Sequence, residues 1–166
     1  MALKRVSKLI CIFLITLSLG CATGISPKVR SQVTYTGTFS EIQKAPDEYI
    51  GKIVMFGGKI LNNQASPSDS ELTVLHLRID GRDRPKEGDQ SEGRYLIQSD
   101  QFLDPAIYKK ETLLTVAGKI TGSEVRAIGG FEYVYPKLKA IEIKLWPKAD
   151  RFYPRFHIGV GVGKTF

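Results

Sequence analysis

Few groups in this sequence could do chemistry. They are His76 and His157, Cys11 and Cys21, a charge-crowded loop between Arg78 and Arg94, the alternating aromatics Phe131, Tyr133 and Tyr135, and a Gly163-Lys164-Thr165 triplet close to Phe166. The triplet fails as a phosphate-binding loop. That motif needs a Gly five residues before the Gly-Lys-Thr, so that successive backbone N–H groups curl round the phosphates ahead of a helix. Ile158 stands at that position, and only Phe166 follows Thr165. A serine-type triad needs a His held between a nucleophile and an acid, and no Gly-x-Ser-x-Gly elbow occurs. His76 alternates with Leu75 and Leu77 and is expected on the wet face of a strand, as a surface histidine.

Asp80, Asp83, Glu87, Asp89 and Glu92 share their loop with Arg78, Arg82, Arg84, Lys86 and Arg94. Mixed signs at this density predict a solvated, salt-bridged connection, because a metal site concentrates oxygens without competing cations. No catalytic residue, metal or cofactor is expected. The candidate ligand-binding residues are Arg82, Arg84 and Arg94, which could meet an anionic glycan or lipid, with Tyr133 and Tyr135 as stacking side chains. The competing reading packs the tyrosines into the fold.

Cys21 carries the sharpest signal. Lys4, Arg5 and Lys8 precede an apolar run from Leu9 to Leu19 that ends in Gly20-Cys21. This is the pattern of a secretory signal peptide over residues 1–20, and the run is shorter than the roughly 20 residues that span a bilayer. A small residue before a cysteine is similar to a bacterial lipobox, with Ser18 at a position where Leu is usual. That resemblance implies that Cys21 becomes the first mature residue and takes acyl chains such as palmitate. Cysteine arithmetic agrees, since Cys11 leaves with the signal and Cys21 would otherwise be a lone thiol in an oxidising compartment. Ala22, where an Asp would signal inner-membrane retention, favours the outer membrane. Of the formal charge of +7, three basic residues precede Cys21 and no acid does, leaving +4. So mild a balance without a basic block suits anionic envelope surfaces and excludes nucleic acid as the expected partner.

The elements that must position these groups are mostly strands. Residues 21–36, the lipidated N-terminus and a polar stretch with Gly24 and Pro27, read as a flexible tether. A single domain over 37–148 follows. Ser40-Glu41-Ile42-Gln43 fits a capping box for a short helix. Strands are expected at 53–61, with a bend at Gly57-Gly58, at 75–79, at 94–98, at 113–120 and at 131–146, with Pro136 at an edge or bulge. Asp104-Pro105 predicts another short helix through Tyr108. Gly58-Lys59-Ile60 recurs as Gly118-Lys119-Ile120, 60 positions on, each behind a Pro-led segment containing Tyr49 or Tyr108. Two copies are too few for a solenoid and are expected as two equivalent bent strands. Five strands with glycine bends describe a small, partly open five-stranded barrel of the OB type, mainly β with one or two short helices; a sandwich is the competitor.

Pro46-Asp47-Glu48-Tyr49-Ile50-Gly51, Phe56-Gly57-Gly58-Lys59-Ile60, Gly93-Arg94, Gln101-Phe102-Leu103-Asp104-Pro105, Val116-Ala117-Gly118-Lys119-Ile120 and Leu145-Trp146-Pro147 come in the order and spacing of a known family. The chain resembles the Slp family of outer-membrane lipoproteins, the starvation-inducible type, from the signal through Trp146. The resemblance implies a lipid-anchored protein of a Gram-negative outer membrane, tied to stationary phase or stress, and brings no catalytic residues. The expected function is a non-enzymatic structural or interaction role in the envelope, with a glycan or protein partner. The alternative is a binding module for an anionic glycan or lipid. The tail over 149–166 alternates Phe156, Ile158, Val160 and Val162 with His157 and glycines and reads as a membrane-proximal or partner-binding arm, or as disordered chain.

Overall fold

Alternating apolar residues close into a barrel in the computed structural model, which describes residues 24–88 and 90–146. Cys21, His157 and the 149–166 tail lie outside the described residues. Two short helices, α1 (Pro27–Arg30) and α2 (Phe39–Lys44), and a 3-10 turn (Pro46–Tyr49) precede five strands. These are β1 (Ile53–Ala65), β2 (Ser70–Leu77), β3 (Arg94–Ser99), β4 (Leu113–Ile128) and β5 (Phe131–Trp146). The order β1-β2-β3-β5-β4 closes on itself. Every contact is antiparallel except the closing seam, where Leu96, Ile97 and Gln98 run parallel to Lys137, Leu138 and Lys139. This is the expected OB-type barrel, with its seam shut by three residue pairs. Pro136, which has no N–H to give, stands just before that seam.

The Gly-Lys-Ile repeat has a geometric meaning. β1 and β4 pair with each other so that Ile53 faces Lys119, Lys59 faces Leu113, and Phe56 faces Val116 between them. A local two-fold therefore exchanges each residue for its counterpart 60 positions on. It extends beyond the strands: Gly51 N–H donates to Ile120 O at 2.9 Å, and Glu111 N–H to Ile60 O at 2.8 Å. Gly51 and Glu111 both take left-handed backbone, with φ of 87° and 69°. The glycines do different work in the two copies. A Cβ on Gly58 would lie 2.3 Å from Val74 Cγ1 and 2.6 Å from Leu75 O, so β2 crosses too closely for a side chain. Gly118 sits at a register shift in the β4–β5 ladder, where the strand bends.

The core holds Val54, Ile60, Leu72, Val74, Ile97, Leu114, Ile120 and Leu138, none measurably exposed. Phe39 on α2 plugs it, edge-on to Phe56 at 5.4 Å between ring centroids. Thr38, and not Ser40, caps α2: its side chain accepts from Glu41 N–H. The capping box was two residues out of register because Phe39 must enter the core, and Gln43 instead donates to the Tyr133 hydroxyl. The helix expected at Asp104–Tyr108 is a single turn, in which Asp104 Oδ1 accepts from Ala106 N–H and Asp104 O from Tyr108 N–H, both at 2.8 Å.

The segment expected as a tether is docked from Gly24 onward. Ile25 is buried. Asp83 accepts from Ile25 N–H and from the Arg30 guanidinium, while the Glu142 carboxylate takes Ser26 N–H at 2.9 Å and Ser26 O–H at 2.6 Å. Ser26 also caps α1. Local composition suggested loose chain, and long-range partners fix it.

Candidate functional site

Two of the places where the described residues bury polar groups differ in kind. The first is the clasp round Asp83. Asp83 is 3 % exposed and sits at φ 66°, a left-handed conformation that a short polar residue tolerates. Its neighbour Asp80 shapes the loop by accepting Arg82 N–H at 2.8 Å and Arg84 N–H at 3.0 Å through Oδ1. Those two N–H groups, with Lys86 and Arg82 nearby, hold the Asp80 carboxyl below the usual carboxylate range. Thr115 O–H donates to the Asp83 carbonyl and accepts from Trp146 Nε1 at 3.0 Å. The Arg84 guanidinium lies 5.6 Å and the Lys144 ammonium 5.9 Å from the Trp146 ring centre. Gly24 is required here, since a Cβ would fall on the Asp83 carboxylate. The loop expected to be wholly solvated thus turns one acid inward.

The second place is a cleft of about 480 Å³, lined chiefly by Val33, Tyr35, Phe39, Met55, Phe56, His76 and Ile79, with Arg78 and Glu92 at its rim. Here the structure corrects the sequence expectation. His76 is 6 % exposed, on the inner face with Leu72 and Val74, because β2 runs from Ser70 to Leu77 and its buried phase is even-numbered. Its ring stacks on Phe39 at 4.4 Å and stands edge-on to Phe56 at 5.4 Å. Nδ1 has no hydrogen-bond partner. Burial pushes the imidazole down to about 4, outweighing the Glu92 carboxylate, so His76 is neutral near pH 7. Burial raises the Glu92 carboxyl, but the Arg78 guanidinium, 2.8 Å away, more than offsets this and holds it low. Nδ1 is buried as well as unpartnered, so what the ring offers the apolar cleft is an uncharged aromatic surface. The even-numbered alternation of Leu72, Val74 and His76 was readable in the sequence.

The five candidate ligand-binding residues do not form one site. Arg82 and Arg84 flank Asp83 at the clasp. Arg94 gives its backbone N–H to the Tyr133 hydroxyl at 2.7 Å. Tyr133 meets Tyr135 edge-on at 4.8 Å, and Tyr135 is buried beneath Arg126, whose guanidinium lies 5.9 Å from its ring centre. Arg126 is itself bound by Glu71 and Glu124, each at 2.7 Å. The tyrosines pack beside Arg94, and Arg82 and Arg84 belong to the clasp instead. Among the described residues no cluster of His, Cys, Asp and Glu could hold a metal ion.

A closed OB-type barrel carried behind a lipoprotein signal sequence defines a class, that of small exported envelope barrels. The chain belongs to the outer membrane lipoprotein Slp family, whose description matches residues 19–160. It is 31% identical over 127 residues to the uncharacterized lipoprotein YeaY of Escherichia coli K12, covering 76% of this chain and 65% of that protein. It is 27% identical over 119 residues to the outer membrane protein Slp of the same organism, covering 72% and 63%. The chain thus spans just under two thirds of the length of these relatives. Among solved structures, the mitochondrial single-stranded DNA-binding protein Rim1 of S. cerevisiae matches with a TM-score of 0.36 and 16% identity over 57% of this chain and 94% of that one. Family membership puts the chain at the cell outer membrane. No helix among the described residues is long and apolar enough to cross a membrane.

Proposed function

We propose that this chain is acylated at Cys21, held by that lipid at the outer membrane, and serves there in a non-enzymatic interaction role, in the stress or stationary-phase setting that its family resemblance implies. The observation that carries the interaction role is the His76 cleft. It offers an open, largely apolar surface beside an uncharged ring, with Phe39 and Phe56 against that ring where a catalytic imidazole would need a nucleophile or an orienting acid. The cleft is built to receive a group, and its neutral histidine fits recognition.

Intact-mass analysis of protein extracted from membranes, beside Cys21→Ala, tests the anchor: a chain beginning at Cys21 with added acyl mass is expected, and an unmodified chain cleaved elsewhere contradicts it. The cleft is tested with anilinonaphthalenesulfonate as an apolar probe. Bound-probe fluorescence is expected for the native fold and lost in Met55→Trp, which fills the cleft; equal fluorescence from both proteins contradicts a receptive cleft.

A second reading, binding of an anionic glycan or lipid, draws on Arg84 beside Trp146 and on Arg82 in the same loop. With Tyr133 and Tyr135 packed elsewhere, it rests on charge more than stacking and predicts binding that weakens steeply with salt.

A further inference from the structure

Both ends of the folded body meet at the Asp83 clasp. Gly24 lies against the Asp83 carboxylate, and Trp146, the last residue of β5, donates to Thr115, which in turn donates to the Asp83 carbonyl. In the sequence only Ala22 and Thr23 separate Gly24 from Cys21. Fully extended, that link spans about 11 Å. A lipid on Cys21 would therefore hold this one face at headgroup level.

The chemistry of the face agrees. Its carboxylates are occupied: Asp83 by Ile25 N–H and Arg30, Glu142 by Ser26, and Asp80 by the backbone of Arg82 and Arg84. Lys28, Arg82, Arg84 and Lys144 form no ion pair among the described residues, although the Asp80 carboxylate lies near enough to Arg82 to feel its charge. Trp146 stands among them, an aromatic of the kind enriched at membrane–water interfaces. The hairpin tip at Phe131 lies about 50 Å of strand away along β5.

We propose that the face formed by Lys28, Arg82, Arg84, Lys144 and Trp146 docks on the anionic headgroups of the membrane that holds the lipid, so that the barrel sits flush on the bilayer in one orientation. This rests on acylation of Cys21. The His76 cleft and the β4–β5 hairpin are then presented by a body whose pose is set by the clasp and the charge around it.

The test uses the acylated protein in phosphatidylethanolamine–phosphatidylglycerol vesicles, with a fluorophore on Gly81→Cys or on Phe131→Cys and headgroup-region bromolipids as quenchers. A Cβ on Gly81 meets nothing within 4 Å, so the label is tolerated beside Arg82. Quenching at Gly81 is expected to exceed that at Phe131 by about fivefold or more, and the gap to shrink toward unity in an Arg82→Glu, Arg84→Glu variant or in phosphatidylcholine vesicles. Equal quenching at the two sites, stronger quenching at Phe131, or a gap indifferent to charge would overturn the orientation. The mass of the same samples separates the two levels: an acylated protein without the gap overturns the docking face alone, whereas an unacylated protein overturns the anchor and, with it, the proposal.

Discussion

Asp83 and His76 are equally hidden, at 3 % and 6 % exposure, yet they are opposite kinds of buried polar residue. Asp83 has its carboxylate engaged by Ile25 N–H and Arg30 and its carbonyl by Thr115, and these three partners come from distant parts of the chain. His76 has a nitrogen with no partner, and rings on two sides. A satisfied buried acid ties segments together and is worth what its hydrogen bonds return. An unsatisfied buried base costs free energy, and His76 keeps that cost only because the rings round it hold it in place.

The largest expected effect removes the ring that keeps the two residues different. Phe39→Ala should cost roughly 3–5 kcal/mol in urea unfolding at pH 7, the usual toll for truncating a buried Phe. It should also wet His76 and return its titration toward the ordinary histidine range, leaving the clasp intact; an unchanged titration would mean that Phe39 is not what dries the ring.

Acid comes next. A His76 pKa lowered from 6.5 to about 4 in the folded protein contributes stability that is fully present above pH 6.5 and lost as pH falls through 4, because the unfolded chain takes up the proton first. Desolvation lowers the titration, the Glu92 carboxylate opposes it, and the Arg78 guanidinium adds to it, so Glu92 is outweighed. The loss amounts to about 3 kcal/mol between pH 7 and pH 4, and denaturation midpoints across that range measure it. His76→Phe should remove this slope, and its persistence in the variant would assign the acid sensitivity elsewhere.

Asp83→Ala should destabilise the fold by roughly 2–3 kcal/mol, with Ile25 N–H left buried and without its acceptor. The same unfolding experiment on His76→Phe at pH 7 should show the smallest change, under about 1 kcal/mol in either direction, because an unpartnered polar group is exchanged for an apolar ring of similar shape. If the two substitutions cost the same, the contrast between clasp and cleft fails.

Much of the barrel was legible. The repeated Gly-Lys-Ile segments pointed to two equivalent strands, and these pair about a local two-fold. What escaped was phase and distance. Leu75, Leu77 and Ile79 offered one alternation and Leu72, Val74 and His76 the other, and only the end of β2 at Leu77 decides between them. Ser40 was expected as the cap, and Thr38 takes that place because its register sends Phe39 inward. The docking of residues 24–30 was invisible locally, since Ile25 reaches Asp83 58 positions on and Ser26 reaches Glu142 116 positions on. A polar stretch with Gly and Pro looks the same whether or not such partners exist.

Hydrogen exchange at the Ile25 and Ser26 amides tests the central claim most directly, that the folded body begins three residues after Cys21. Both amides donate to buried or half-buried carboxylates, so exchange far slower than that of unstructured chain is predicted, with Ile25 losing its protection in Asp83→Ala. Exchange of both amides at the rate of unstructured chain in the unmodified sequence would contradict the clasp and leave the barrel on a loose tether.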